Sequence, residues 1–275
     1  MVRPNFVLKG GLRVEVLPDA DAVALAAADH IAAQVRADPH LTVLVATGST
    51  PMTTYAELAR RVQAGTLDLS GVTAVQLDEY LGLDSLRLGP DDPRSLWGWM
   101  ERSFVTPLKI TRTIRFGHRA DPERTCARYD EAVQTSGGID LALLGLGLNG
   151  HLGFNEPPSP ADAPTRRVSL TPASLESNRA YWDAEVPTHA LTAGMAMILA
   201  ARSTLLLVTG ASKRAALQRL LSGPPGPDFP ASLLGGPEVT LLTDQAAIGQ
   251  ADHSATEQTA TEPQDYPLSS STERP

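Results

Sequence analysis

Between Ile139 and Pro157 the chain reads IDLALLGLGLNGHLGFNEP, and no other stretch restricts the fold as sharply. Leu141 to Leu144 is apolar at every position, without the alternation of a strand that faces water on one side. Such a run is expected of a strand buried on both faces of a parallel sheet. It breaks at once into Gly145, Gly147 and Gly150, with Asn149, His151, Asn155 and Glu156 crowded among them. Open α/β sheets place ligands outside the carboxyl ends of their strands, so this loop marks a candidate active site. His151 and Glu156 put the two commonest kinds of general acid–base group within one loop.

The rest of the chain alternates strand and helix patterns around that stretch. Strands are expected over Leu12–Leu17, Leu41–Ala46, Val72–Leu77, Thr113–Phe116, Val168–Leu170, His189–Gly194, Ser203–Gly210 and Val239–Leu242. Helical spacing covers Asp19–Ala37, Met52–Gln63, Pro93–Leu108, Pro122–Gln134, Pro172–Trp182, Met195–Ala200 and Lys213–Leu221, the last with Ser212 as its cap. Trp97, Trp99 and Phe104 read as core anchors. Ser159 to Thr165, rich in proline and small polar residues, reads as a mobile loop. The polar composition from Gln250 onward reads as a disordered tail. The expectation is one three-layer, Rossmann-like α/β domain over residues 1–249, with a mainly parallel sheet.

Composition narrows the partners. A net charge of −8 argues against nucleic acid and anionic membrane, although a local nest of amides and two cations still suffices for a small anion. Cys126 is the single cysteine, which excludes an internal disulfide and a cysteine-based metal site. No HxH or HExxH pattern accompanies His151, so no metal is expected. The N-terminal segment lacks the apolar core of a signal peptide, no run is long enough to span a bilayer, and a cytoplasmic location follows. An assembly of like chains is compatible with the sequence, which has no residue that decides it.

Polar clusters follow three expected strands: Thr47 to Thr50, Asp78 to Tyr80, and Asn149 to Glu156. Strands of one parallel sheet present their carboxyl ends at one edge, so loops distant in sequence can line one pocket. Gly48, Ser49 and Thr50, ahead of a helix, have the chemistry of an anion cradle, although a plain helix cap explains them too. Lys213 at another helix start opposes the dipole and makes better sense with an anion beside it. Asp78 can be a turn cap or a proton-abstracting base, and His151 a structural hydrogen-bonder or a catalyst. The other five histidines lack a comparable setting.

The motifs ATGSTPMTTY, QLDEYLGL, GLGLNGHLGFNEP, SNRAYW and TGASKRAAL, taken together, resemble the glucosamine-6-phosphate deaminase family over nearly the whole chain before the tail. The superfamily also holds 6-phosphogluconolactonases, whose corresponding loop lacks the FNEP run of Phe154 to Pro157. The resemblance implies conversion of glucosamine 6-phosphate into fructose 6-phosphate and ammonia, without cofactor or metal. It implies that His151, assisted by Glu156, opens the sugar ring and that Asp78 moves the C2 proton to C1. The phosphate would rest on Gly48 to Thr50, held by Lys213 and Arg179. Many members have Asp where this chain has Asn149, which accepts a hydrogen bond from His151 but carries no charge; Asn also shapes a turn well. Allosteric members carry a basic residue near Val168, which makes allosteric activation unexpected here. Galactosamine 6-phosphate deamination, lactone hydrolysis and non-catalytic sugar-phosphate sensing are the alternatives.

Overall fold

The apolar runs become strands and the amphipathic segments pack over them. The computed structural model of the chain describes residues 5–7, 11–82, 88–117, 121–179 and 186–249. The expected tail, His118, His253 and Trp182 lie outside the described residues. The first half comprises β1 (Asn5–Val7), β2 (Arg13–Leu17), α1 (Ala20–Ala37), β3 (Thr42–Val45), α2 (Met52–Gln63), β4 (Thr73–Gln76) and β5 (Asp78–Leu81). Then come α3 (Leu96–Met100), β6 (Arg112–Ile114), α4 (Pro122–Thr135), β7 (Leu141–Gly145), β8 (Arg166–Ser169) and α5 (Pro172–Arg179). The remainder is β9 (His189–Thr192), α6 (Met195–Leu199), β10 (Ser203–Val208), α7 (Arg214–Ser222), β11 (Val239–Asp244) and α8 (Gln245–Ile248).

The main sheet runs β1-β2-β11-β10-β7-β3-β4-β6, parallel except for the edge strand β1. β3 and β7 are its centre, and their side chains alternate between two cores. Val43, Val45, Leu141 and Leu143 face one layer of helices, and Leu44, Ala142 and Leu144 face the other. That explains why these strands read as continuous apolar runs. In α1, Asp19 accepts a hydrogen bond from the Ala22 amide at 2.8 Å, and Val23, Ala27, Ile31 and Val35 form the buried stripe. From β3 the chain moves outward through β4 to β6. It then returns to the other side of β3 as β7 and continues outward through β10 and β11. The order therefore reverses between β3 and β7, which is where an open parallel sheet forms its ligand crevice. No helix among the described residues is long and apolar enough to cross a membrane.

Several expectations are corrected. Asp78 to Tyr80 do not form a loop after β4: β5 peels away into a separate antiparallel sheet, β5-β9-β8. The Gln76 side chain, fully buried, donates to the Asp78 carbonyl at 2.9 Å, and Leu77 O accepts from the Ala193 amide at 2.8 Å. These bonds turn the strand out of the first sheet. The expected strands near Val168 and His189 belong to this second sheet. The helix expected over Pro93–Leu108 is α-helical only at α3 and continues as a π-helix over Glu101–Val105, with Trp97 and Phe104 buried as anticipated. Trp99 is only partly buried against the same core. Ser159 to Thr165 is tied down: Ser159 is buried, donates to Glu156 O at 2.6 Å and accepts from Arg166 at 3.1 Å. Small polar residues read as mobile because sequence does not show the partners that satisfy them. Ser212 does not cap α7, which follows a 3-10 turn of Ala211–Lys213.

Leu143 sits in β7 with 1% of its surface exposed. Leu143→Ala is expected to destabilise the protein by about 3 kcal/mol, seen as a lower denaturant midpoint at unchanged slope.

Candidate active site

Asp78 stands where β4 ends and β5 begins, 6% exposed. The Thr47 hydroxyl, from the turn after β3, donates to its Oδ1 at a long 3.5 Å. A Cβ built on Gly153 would lie 3.3 Å from its Oδ2, so the glycine loop of β7 closes over the carboxylate from the other side. Burial, and then the negative charge of Glu79, push the Asp78 carboxyl up to about 7, against a small opposing effect of Thr47. A carboxylate so placed is a far better base than an exposed one.

In the glycine loop, Asn149 Oδ1 accepts both from the His151 backbone amide at 3.2 Å and from ring Nδ1 at 2.7 Å. Two donors to one oxygen fix the amide's orientation. They hold the hydrogen of the imidazole on Nδ1, and Nε2 keeps its lone pair. The ring lies flat on Gly147, where a Cβ would come within 2.4 Å of it. Gly150, at φ +85°, takes the Phe229 ring against its backbone, and its carbonyl accepts from Ala231 at 2.8 Å. Burial is the main cause that drives the His151 ring down to about 4; Lys213 adds to it and Glu156 opposes it. At neutral pH His151 is therefore a neutral imidazole able to accept a proton at Nε2.

Glu156 is buried, and its carboxylate accepts from the Thr171 amide at 2.8 Å, the Thr171 hydroxyl at 2.7 Å and the Ser174 hydroxyl. It thus caps the N-terminus of α5. Its charge reaches His151 through space, with no hydrogen bond to the ring among the described residues. Sequence suggested a direct assistant to His151; the structure has a tie between the catalytic loop and α5.

In the turn after β3, Gly48 adopts φ +111° and faces open space. The cap position of α2 is Pro51, with no side-chain cap bond, so the Ser49 and Thr50 hydroxyls are not spent on the helix. Neither makes a hydrogen bond to a described residue. Lys213 is half-buried, and desolvation lowers its basicity. Among the described residues it has no ion-pair partner. A desolvated, unpaired ammonium suits an anionic ligand, and so do the free hydroxyls and helix amides of the turn before α2. Arg179 stands apart from this grip: it is exposed at the end of α5 and paired with Glu176 at 2.6 Å.

Two supporting residues escaped the sequence reading. Asp244, at the end of β11, accepts from the Gly210 amide at 3.0 and 3.1 Å and from Ala247 at 2.7 Å, which pins the turn that carries Lys213. Thr192 of β9 accepts from the Phe154 amide at 3.1 Å and steadies the catalytic loop. An Asp directly after a buried strand was the available signal for the first; nothing local marks the second. Among the described residues, no three His, Cys, Asp or Glu side chains are grouped as a metal ion would need.

A parallel sheet with a base, an imidazole and an anion grip at its switch point defines an α/β enzyme of small phosphorylated molecules. The chain belongs to the family of glucosamine-6-phosphate isomerases and 6-phosphogluconolactonases, whose model matches residues 18–242. It is 40% identical over 250 residues to a glucosamine-6-phosphate deaminase of Rhodopirellula baltica, an alignment that covers 89% of this chain and 98% of that one. It also resembles the solved structure of a monomeric glucosamine-6-phosphate deaminase, with TM-score 0.80 and 35% identity over 86% of this chain and 99% of that one. A 6-phosphogluconolactonase from Trypanosoma cruzi shares the fold, with TM-score 0.68 at 16% identity over 89% of this chain and 98% of that one.

The raised Asp78 carboxyl has a consequence for stability. From about pH 4 to 7 the unfolded chain loses this proton before the native state does, so stability falls as pH rises through that window. Asp78→Asn is expected to exceed the wild type by about 1–2 kcal/mol at pH 8, with the gap closing at pH 4 in thermal melts. Asn149→Asp places a charge against Nδ1 and is expected to raise the His151 pKa by about 1–3 units, read from its ring-proton NMR titration.

Proposed function

We propose that the protein is a glucosamine-6-phosphate deaminase that converts its substrate into fructose 6-phosphate and ammonia by proton transfers alone. The observation that carries this reading is the pairing, at one sheet edge, of a buried carboxylate titrating near neutrality with a neutral imidazole. Desolvated Lys213 lies close enough to that imidazole to depress its basicity. The family relationship and relatives named as deaminases support the substrate.

The phosphate rests on the amides and hydroxyls of Gly48, Ser49 and Thr50 with Lys213 beside it, and anchors the reacting carbons. Arg179 would join it only by turning away from Glu176. His151 Nε2 takes the proton of the C1 hydroxyl and returns it to the ring oxygen as the C1–O5 bond breaks, leaving an open-chain aldehyde. Asp78 then removes the C2 proton. The C–H electron pair becomes the C1–C2 double bond, and O1 takes a proton from the substrate's own ammonium, giving an enolamine. Asp78 returns its proton to C1, water adds to the resulting C2 iminium, and ammonia leaves. Glu156 acts at a distance, by raising the basicity of His151 and by joining the loop to α5. Asn149 sets the tautomer without adding charge.

Lactone hydrolysis needs no base for a C–H bond, whereas Asp78 is held as one. Every group invoked comes from a single chain, so an assembly of like chains is not needed for turnover. We place the protein in the cytoplasm, since its substrate carries a phosphate that a bilayer does not pass.

Glucosamine 6-phosphate is expected to release ammonia, tested beside galactosamine 6-phosphate and 6-phosphogluconolactone. Folded protein that yields no ammonia from either amino sugar would overturn the reading. Because Asp78 must be ionised, kcat/KM is expected to rise with pH through about 7. Asp78→Asn is expected to lower solvent exchange of the C2 proton by about 10²–10⁴-fold while sugar-phosphate binding persists.

A further inference from the structure

Beside Asp78, β5 carries a second carboxylate whose surroundings differ from those of any other acid among the described residues. Glu79 has none of its surface exposed. Its Oε1 accepts from the Tyr80 amide at 3.0 Å and the Leu96 amide at 2.8 Å. Its Oε2 accepts from Gln76 Nε2 at 3.0 Å, the Ser95 hydroxyl at 3.0 Å and the Trp97 amide at 2.8 Å. Four of these five donors are N–H groups that cannot reverse direction. A protonated carboxyl would set its own hydrogen against these donors unless the Ser95 hydroxyl turned to accept it, so the shell favours the anion. Two of the amides lie at the N-terminus of α3, which favours negative charge further.

In a strand, successive side chains point to opposite faces, so Asp78 faces Thr47 and Gly153 while Glu79 faces α3. We propose that Glu79 is a tuning residue for the proton transfer: its carboxylate, ringed by hydrogen-bond donors one position along β5, supplies the field against which Asp78 holds or releases the substrate's proton. The inference rests on the deaminase reading for what Asp78 does, but not for the coupling between the two carboxylates.

Among the described residues, Glu79 is the charged group that acts on Asp78. The turn after β3 contributes the neutral Thr47 hydroxyl. The glycine loop contributes Gly153, and β9 contributes Thr192, neither of them charged. From α4 comes Tyr129, whose buried phenol donates to Gln76 O at 2.7 Å and stays protonated, pushed well up by burial and by nearby acids that include Asp78. The field of Glu79 adds to the effect of burial in raising Asp78. Gln76 makes the link physical, since its one side-chain amide holds both the Glu79 carboxylate and the Asp78 carbonyl.

The test is the titration of Asp78, followed by carboxyl-carbon NMR of aspartate-labelled protein and assigned by its loss in Asp78→Asn. It runs beside the pH profile of kcat/KM on glucosamine 6-phosphate. Glu79→Gln is expected to move both the Asp78 titration and the acid limb down by about one pH unit. Ser95→Ala, which weakens the hydrogen-bond shell but leaves the charge, is expected to move neither. Gln76→Lys keeps Glu79 in place, sets an ammonium beside it, and carries the same downward shift should Glu79→Gln fail to fold. An Asp78 titration unmoved in the folded charge variant, or moved equally by Ser95→Ala, overturns the proposal. A titration that shifts in protein without deaminase activity upholds the coupling and removes only the substrate.

Discussion

The parallel pairing of β3 with β7 is the contact on which the rest of the structure depends. Val43, Leu44 and Val45 run in register with Leu141, Ala142 and Leu143, and the Ala46 amide continues the ladder to Leu143 O at 3.1 Å. From β3 the chain builds outward to β6, and from β7 it builds the other way through β10 to β11, which meets β2. Here adjacent strands send their following loops to opposite sides, leaving a crevice between them. The turn at Gly48 leaves β3 and the glycine loop leaves β7. Next in order, β4 delivers Asp78 and β10 delivers Lys213, so four neighbouring strands carry the whole constellation. A seam dry on both faces, without a polar side chain to satisfy between Val43 and Val45, keeps that geometry rigid.

On this frame the reactive groups are held away from their ordinary chemistry. Burial raises Asp78, lowers His151 and weakens the basicity of Lys213, and each shift makes the group more reactive or more in need of a ligand. None of these groups is neutralised by an ion pair with another. The two cores flanking the sheet offset that loss, in keeping with the general opposition between stability and activity. Around the reactive groups, several buried polar side chains are instead well paired. Glu79 is saturated by donors, Asn155 donates to Leu152 O at 2.9 Å and to Ala193 O at 2.8 Å, and Asp244 grips the turn before Lys213. Buried networks with every member paired make an unpaired centre positionable.

Glu156 shows how one side chain changes meaning between sequence and structure. Its place five residues after His151 suggests a partner for the imidazole. Folding hands both of its oxygens to Thr171 and Ser174, which lie 15 and 18 residues further on. The catalytic loop is thereby joined to α5, and α5 carries Arg179. The small sheet has a comparable role, since β5 holds Asp78 against Thr192 of β9, and Thr192 also supports the loop above it. Base and imidazole loop thus share one scaffold outside the main sheet.

Sequence alone determined the parallel α/β class, the buried strands and the places where loops must be polar and glycine-rich. Those properties follow from periodicity and from local steric demands, which neighbouring residues impose on one another. It also marked Asp78, Asn149, His151 and the turn at Gly48 as candidates, because unusual residues at strand ends are visible without coordinates. Tertiary structure alone decided the second sheet, the tie of Glu156 to α5, the outward pairing of Arg179 and the shell of donors around Glu79. Those depend on hydrogen bonds and dielectric surroundings contributed by segments far along the chain. Thr47 meets Asp78 across 31 positions, and Asp244 reaches back 34 to Gly210. A side chain's type is written locally, but its charge and its partner are set by whatever the fold brings against it.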